Sequence, residues 1–168
     1  MTFKLNRRAF VAAASAAASS LALVKPALAG GHTVHEVQML NKHPEDPKLR
    51  QVFFPRIIVV KPGDAVSFVG VDKGHNSASA KDMIPEGAEA WNGRVNDDIE
   101  VTFDTPGFYG YQCTPHATAG MVGLVIVEGE GMMDNLEDAQ GVRQRGKAKA
   151  TWEDIWAEVE GMEFEMTS

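Results

Sequence analysis

The sequence predicts a mainly β protein in which an antiparallel two-sheet β-sandwich is followed by two C-terminal helices. From residue 33 to residue 128, short runs of β-forming residues alternate with turns that contain proline or glycine. Short strands separated by regular turns are typical of a sandwich. After Gly131 the composition changes, and apolar residues recur at helical spacing instead.

The strands are expected from their apolar content and from the turns between them. Apolar and polar residues alternate strictly from Ile99 to Phe103, as they do in a half-buried strand. Pro55 indicates a bend or an edge within the second strand, and the Pro62-Gly63 turn precedes the third. The expected strands span residues 33–40, 53–60, 65–71, 98–103, 108–112 and 122–127.

Two helices are expected after the sandwich. The first is short and spans residues 133–140. The second is expected to begin at Thr151, because Thr151 and Asp154 have the spacing of a capping box. An apolar stripe along the second helix indicates packing against the sandwich, not a redox role for its tryptophans. The stripe consists of Trp152, Ile155, Trp156 and Val159.

The segment 1–29 has the features of a cleavable export signal. Lys4, Arg7 and Arg8 form a basic start, residues 9–24 are apolar or small, and Ala27-Leu28-Ala29 is a small-x-small cleavage site. The adjacent arginines favour twin-arginine export over an ordinary secretory signal. We therefore expect a signal at 1–29, a sandwich at 30–128, a helical extension at 129–168, and a mature protein in the periplasm of a Gram-negative bacterium.

The charge balance argues against two classes of partner. The chain has 16 Lys and Arg against 23 Asp and Glu, a net charge of −7. The segment 1–29 holds four of those cations and no anion, so the segment 30–168 carries 12 cations against 23 anions, or −11. Nucleic acids and anionic membranes require clustered basic residues instead. The apolar run 9–24 is too short for a membrane span, and we expect a one-domain monomer.

The candidate functional residues lie on one short loop and on a second segment upstream. Cys113 is the only cysteine, His116 and Met121 follow it closely, and His75 lies well before it in the chain. Two histidines, one cysteine and a weak axial methionine form the ligand set of a blue-copper electron-transfer site. The alternatives are a zinc site, which normally has four Cys or His ligands, and a buried free cysteine with unrelated histidines.

Several segments besides this loop support the copper interpretation. They are Val37–Lys42, Pro62–Asp64, Val71–Asn76 and Lys81–Glu89. In these segments, together with Cys113–His116, the chain resembles the cupredoxins and, among them, the pseudoazurins. The resemblance implies a Greek-key sandwich, one type 1 copper ion bound by His75, Cys113, His116 and Met121, and a hydrogen bond from Asn76 toward the Cys113 sulfur.

The sequence favours a soluble electron carrier without enzymatic activity. We expect His116 to be the electron port, with Lys42, Lys73 and Lys81 steering acidic partners around it. The resemblance implies a periplasmic redox partner such as copper nitrite reductase or a cytochrome. The first alternative is a copper chaperone or buffer. The second is a multicopper oxidase domain, but this would require His-x-His pairs, and the chain contains none.

A second metal site is a further hypothesis at the expected mature terminus. Cleavage after Ala29 would expose Gly30-Gly31-His32, whose amine, amide nitrogens and imidazole suit square-planar Cu(II) or Ni(II). The alternative is a tail without metal, as is usual for mobile termini.

Overall fold

Two four-stranded sheets pack face to face in the computed structural model, which describes residues 32–164. The predicted β-sandwich is therefore confirmed. The first sheet has the order β2-β1-β4-β6, and the second has the order β3-β8-β7-β5. The strands are β1 (Val34–Lys42), β2 (Arg50–Phe54), β3 (Ile57–Val60), β4 (Asp64–Val69), β5 (Ala78–Ser79), β6 (Ile99–Phe103), β7 (Gly107–Gln112) and β8 (Val122–Val127). The expected export signal at 1–29 lies outside the described residues.

The sheets are mixed, and the expectation of a wholly antiparallel sandwich is wrong at two strand pairs. β1 runs parallel to β4, and β3 runs parallel to β8. Neither pair is consecutive in the chain, so a long connection returns the second strand in the same direction as the first. Alternation of side chains along a strand is the same in both directions. The sequence pattern therefore could not distinguish parallel from antiparallel pairs.

The expected single strand at 53–60 is two strands that belong to different sheets. β2 pairs with β1 in the first sheet, and β3 pairs with β8 in the second. Pro55 lies between them and has no N–H with which to continue a ladder. The proline therefore marks the point where the chain leaves one sheet for the other, instead of a bend within one strand.

Aromatic side chains fill the space between the two sheets. Phe68 stacks on Trp91 with 5.9 Å between ring centroids, and Phe53 meets Tyr111 edge to face at 4.7 Å. Such pairs stabilise beyond the apolar area that they bury. Cys113 and Met121 belong to the same buried cluster, so the candidate site is continuous with the core of the sandwich.

The two C-terminal helices are present and pack on the outer face of the second sheet. They are α1 (Leu136–Gly141) and α2 (Ala148–Glu160). Trp152, Ile155 and Val159 are buried together with side chains of β7 and β8. The predicted apolar stripe is confirmed, with Trp156 half-buried against the same cluster. Every residue of β8 is buried, because the core covers one of its faces and α2 covers the other.

The beginning of α2 differs from the expectation. The helix begins at Ala148 and its N-cap is Lys147, without a side-chain hydrogen bond at the cap. The Thr151 hydroxyl donates back to the Lys147 carbonyl at 3.3 Å, which is the usual bond of a threonine inside a helix. The predicted capping box at Thr151 is therefore wrong. Within the described residues, no helix is long and apolar enough to cross a bilayer.

Shortening the stripe residue at the centre of α2 should destabilise the protein. Ile155 has no exposed surface, and an Ile→Ala change at a buried position removes apolar contacts and leaves a cavity. We expect Ile155→Ala to lower the free energy of unfolding by roughly 2–5 kcal/mol, measured by urea denaturation. The exposed Glu160 gives the control, because Glu160→Ala should change stability by no more than about 0.5 kcal/mol. Equal stability of the two variants would show that α2 is not packed in solution.

Candidate metal centre

The sandwich brings the candidate residues to one end of the core. His75 follows β4, and the other three lie on the loop between β7 and β8. The register of this hairpin pairs Gln112 with Val122. Cys113 and Met121 are therefore the first residues beyond the last pair, and the Cys113 N–H donates to the Met121 carbonyl at 3.0 Å.

Two imidazoles and the thiol converge as the sequence predicts. The Cys113 Sγ lies 3.7 Å from the His75 Nδ1 and 3.5 Å from the His116 Nδ1, and the two nitrogens are 3.1 Å apart. A point equidistant from these three atoms lies about 2.0 Å from each, a typical metal–nitrogen distance and slightly short for a metal–sulfur bond. The three residues therefore fit a single metal ion between them.

Met121 is fully buried and is hydrogen-bonded through its backbone to two of these three residues. Its backbone is held at both polar groups, because its N–H donates to the His116 carbonyl at 3.2 Å and its carbonyl accepts from Cys113. A thioether next to a thiolate and imidazoles favours copper over zinc. The donor chemistry therefore selects copper among the metals that two histidines and a cysteine can bind.

Burial shifts the pKa values of two of the proposed ligands. Burial raises the pKa of the Cys113 thiol, although the backbone N–H groups of Asn76 and His116 lower it in part by favouring the thiolate. Burial also lowers the pKa of His75, as does the neighbouring His116, while the Asp72 carboxylate opposes both. His75 is therefore held as a neutral imidazole, the form that can bind a metal.

Asn41 orients the His75 ring, a contact that the sequence analysis missed. The His75 Nε2 and the Asn41 Oδ1 are 3.0 Å apart. When Nε2 carries the proton and donates to this oxygen, the Nδ1 lone pair faces the thiol. Asn41 is itself held by Asp72, whose Oδ2 accepts from the Asn41 N–H at 2.7 Å. Asn41 belongs to β1, far before His75 in the chain, so no local pattern links the two.

Asn76 joins the two loops of the site. Its Nδ2 donates to the Gly93 carbonyl at 2.8 Å and to the Thr114 hydroxyl at 3.1 Å, and its Oδ1 accepts from the Thr114 N–H at 2.8 Å. The backbone N–H of Asn76, not the side chain, is the group directed at the Cys113 sulfur. The residue thus favours the thiolate through its backbone and fixes the loops through its amide.

The loop residues on either side of His116 are uncharged. His116 and Ala117 are half-buried, while Pro115 and Ala119 are exposed. The cations expected around this surface, Lys42, Lys73 and Lys81, are exposed as well. Of the hypothetical Gly-Gly-His site, His32 is exposed, and Gly30 and Gly31 lie outside the described residues.

Comparisons with known proteins agree with this site. Residues 41–128 match the family of copper binding proteins described as plastocyanin/azurin. A pseudoazurin from Paracoccus pantotrophus is 41% identical over 136 residues, which cover 81% of this chain and 88% of the relative. Another from Methylorubrum extorquens is 37% identical, covering 91% and 97%. The structure of a Sinorhizobium pseudoazurin superposes with a TM-score of 0.71 at 46% identity, covering 76% of this chain and 97% of that one.

Removing the Asn76 amide should loosen the two loops that it joins. Asn76 is almost fully buried, and in Asn76→Ala the Thr114 N–H and the Gly93 carbonyl lose their partner. We expect the free energy of unfolding of the copper-free protein to fall by about 1–3 kcal/mol, measured by urea denaturation. Asn92→Ala, at a neighbouring exposed position, is the matched control. If both variants were equally stable, the bridge would not exist in solution.

Proposed function

Since the chain belongs to the pseudoazurin family of copper-binding proteins, we propose that it is a soluble periplasmic electron carrier whose single type 1 copper is held by His75, Cys113, His116 and Met121. The observation that carries this proposal is the convergence of two imidazoles and the only thiol within 4.8 Å of one another. When bound, the copper alternates between Cu(II) and Cu(I) and so stores one electron.

The protein groups have distinct roles in this proposal. Cys113 would supply the thiolate, His75 and His116 would supply the two imidazoles, and Met121 would supply a weak thioether donor that tunes the potential. Three of these side chains, His75, Cys113 and Met121, are buried, and their backbones belong to a packed hairpin and to a loop fixed by Asn41 and Asn76. The scaffold therefore holds one ligand arrangement in both oxidation states, which lowers the reorganisation that accompanies electron transfer.

His116 is the proposed point of electron exchange. It is the one proposed ligand that is not fully buried, and exposed Pro115 and Ala119 flank it. A small patch with few charges to desolvate suits the weak, short-lived contacts of redox partners. The exposed Lys42, Lys73 and Lys81, which we expected around this patch, would favour partners with an acidic surface. By family resemblance, the partner is a periplasmic reductase such as copper nitrite reductase, or a cytochrome.

Burial of the site favours an electron carrier over the rival functions. A copper chaperone or buffer needs ligands that incoming partners can reach, whereas His75 and Cys113 have no exposed surface. A catalytic metal site keeps an open position for substrate, whereas four protein ligands would leave none here. We therefore infer a non-enzymatic role. The proposed location in the periplasm rests on the export signal expected at 1–29.

The visible spectrum tests the ligand set directly. We expect the purified protein with Cu(II) to show an intense visible thiolate-to-copper band that Cys113→Ser abolishes. Met121→Leu should keep the copper and raise the reduction potential, because loss of a weak thioether donor would destabilise Cu(II) relative to Cu(I). Met133→Leu, at an exposed methionine, should match the wild type in both. A wild-type protein with only weak bands and readily chelated copper would instead indicate a copper-handling role.

Electron exchange through His116 can be tested separately from folding. In His116→Gly we expect the rate of electron transfer with a redox partner to fall by at least about tenfold, because the ligand that reaches the surface is lost. The melting temperature of the copper-free protein should change little. His32→Gly, at an exposed histidine near the start of the described chain, is the control. Unchanged electron transfer in His116→Gly would contradict the assignment of the port.

A further inference from the structure

The first turn of α2 lies directly against the ligand loop, defined here as Cys113–Met121. The backbone N–H of Lys147 donates to the carbonyl of Thr118 at 2.9 Å. Thr118 lies between His116 and Met121 in the chain. The helix therefore contacts the half of the loop that carries two of the four proposed copper ligands.

Two glycines allow this close approach. Gly146 has a φ of +60°, and a Cβ at this position would lie 2.4 Å from the Thr118 oxygen. On the opposite side, Gly120 has a φ of +99°, and its Cβ would lie 2.8 Å from the Thr151 hydroxyl. Only glycine combines a left-handed backbone with no side chain. Gly146 therefore lies against the Thr118 backbone, and Gly120 lies against the Thr151 side chain.

The helix is a rigid support for this contact. Trp152 and Ile155 are buried against Val122 and other β8 side chains, and β8 begins immediately after Met121. The same strand thus anchors the helix and the end of the ligand loop. A displacement of the first turn of α2 relative to the loop would require repacking of this cluster, and packed cores resist such a change.

The two halves of the ligand loop are held by different means. The Cys113 half is tied to the His75 loop through Asn76 and Thr114. The other half forms hydrogen bonds within itself, including Ala119 N–H to the His116 carbonyl at 3.0 Å, and it makes the contact with α2. Thr118 and Ala119, in the middle of this half, are exposed, and the α2 contact restrains the loop at Thr118.

We propose that Gly146 and the Lys147 N–H are positioning groups for the copper site. They hold the His116–Met121 half of the loop in one conformation, so that α2 limits the movement of these two ligands when the copper gains or loses an electron. This role rests on the proposed type 1 site. It assigns to α2 a function beyond covering the outer face of the second sheet.

The test is Gly146→Ala with a matched glycine control. The new methyl group must move the Thr118 carbonyl by about 1 Å to reach ordinary van der Waals contact. We expect a shifted visible copper band, slower electron self-exchange, and amide hydrogen exchange at Lys147 in the copper-free protein faster by about tenfold. The control is Gly63→Ala, in the turn before β4: Gly63 also has a positive φ, of +90°, but its Cβ would meet nothing within 4 Å.

The outcomes separate this inference from the proposed function. If Gly146→Ala and Gly63→Ala have the same copper band, self-exchange rate and Lys147 exchange, the positioning role is overturned. It is also overturned if the Lys147 amide of the copper-free wild type exchanges as fast as an exposed amide, a measurement that needs no variant to fold. The absence of an intense copper band in the wild type would instead overturn the proposed function, while the Lys147 exchange rate would still report on the contact.

Discussion

The pairing of β7 with β8 is the constraint on which the metal centre depends. Their register places Gln112 opposite Val122, so the loop between them begins and ends at neighbouring points, with Cys113 and Met121 hydrogen-bonded at its base. β8 is buried along its whole length between the core and α2. A movement of the base of the loop would therefore disturb the apolar cluster between the sheets and the one beneath α2. Because packed cores resist such a change, a short loop can hold its side chains in fixed positions.

Two kinds of feature could be predicted from the sequence: those that depend on consecutive residues, and those that depend on the chemistry of a rare residue type. The boundaries of β8 match the expected strand at 122–127, because a short run of consecutive apolar residues identifies a strand covered on both faces. The His75, Cys113 and His116 cluster could be predicted because few residue types bind a soft metal. Strand direction, the change of sheet at Pro55 and the very short β5 could not. Each of these features depends on the pairing of strands that are distant in the chain. The alternation of side chains along a strand does not identify its partner strand.

The supporting residues around the metal centre were harder to predict for a related reason. Asn41 and Gly146 belong to common residue types, and each acts on a segment far from it in the chain. The resemblance did indicate Asn76, but its side chain bridges two loops while its backbone faces the sulfur. At Thr151 the spacing was correct for a capping box, yet a threonine one turn into a helix can bond to the carbonyl of the preceding turn. Spacing alone does not distinguish these two positions.

The protonation states of the ligands link the fold to metal binding. Burial raises the pKa of Cys113 and lowers that of His75, so both side chains are neutral in the folded protein without metal. A metal ligand must be deprotonated, so His75 is ready to bind while Cys113 must release one proton. Copper affinity should therefore rise with pH across the range in which Cys113 remains a thiol. The burial that encloses the site thus also disfavours a free thiolate, whose charge a bound metal would stabilise.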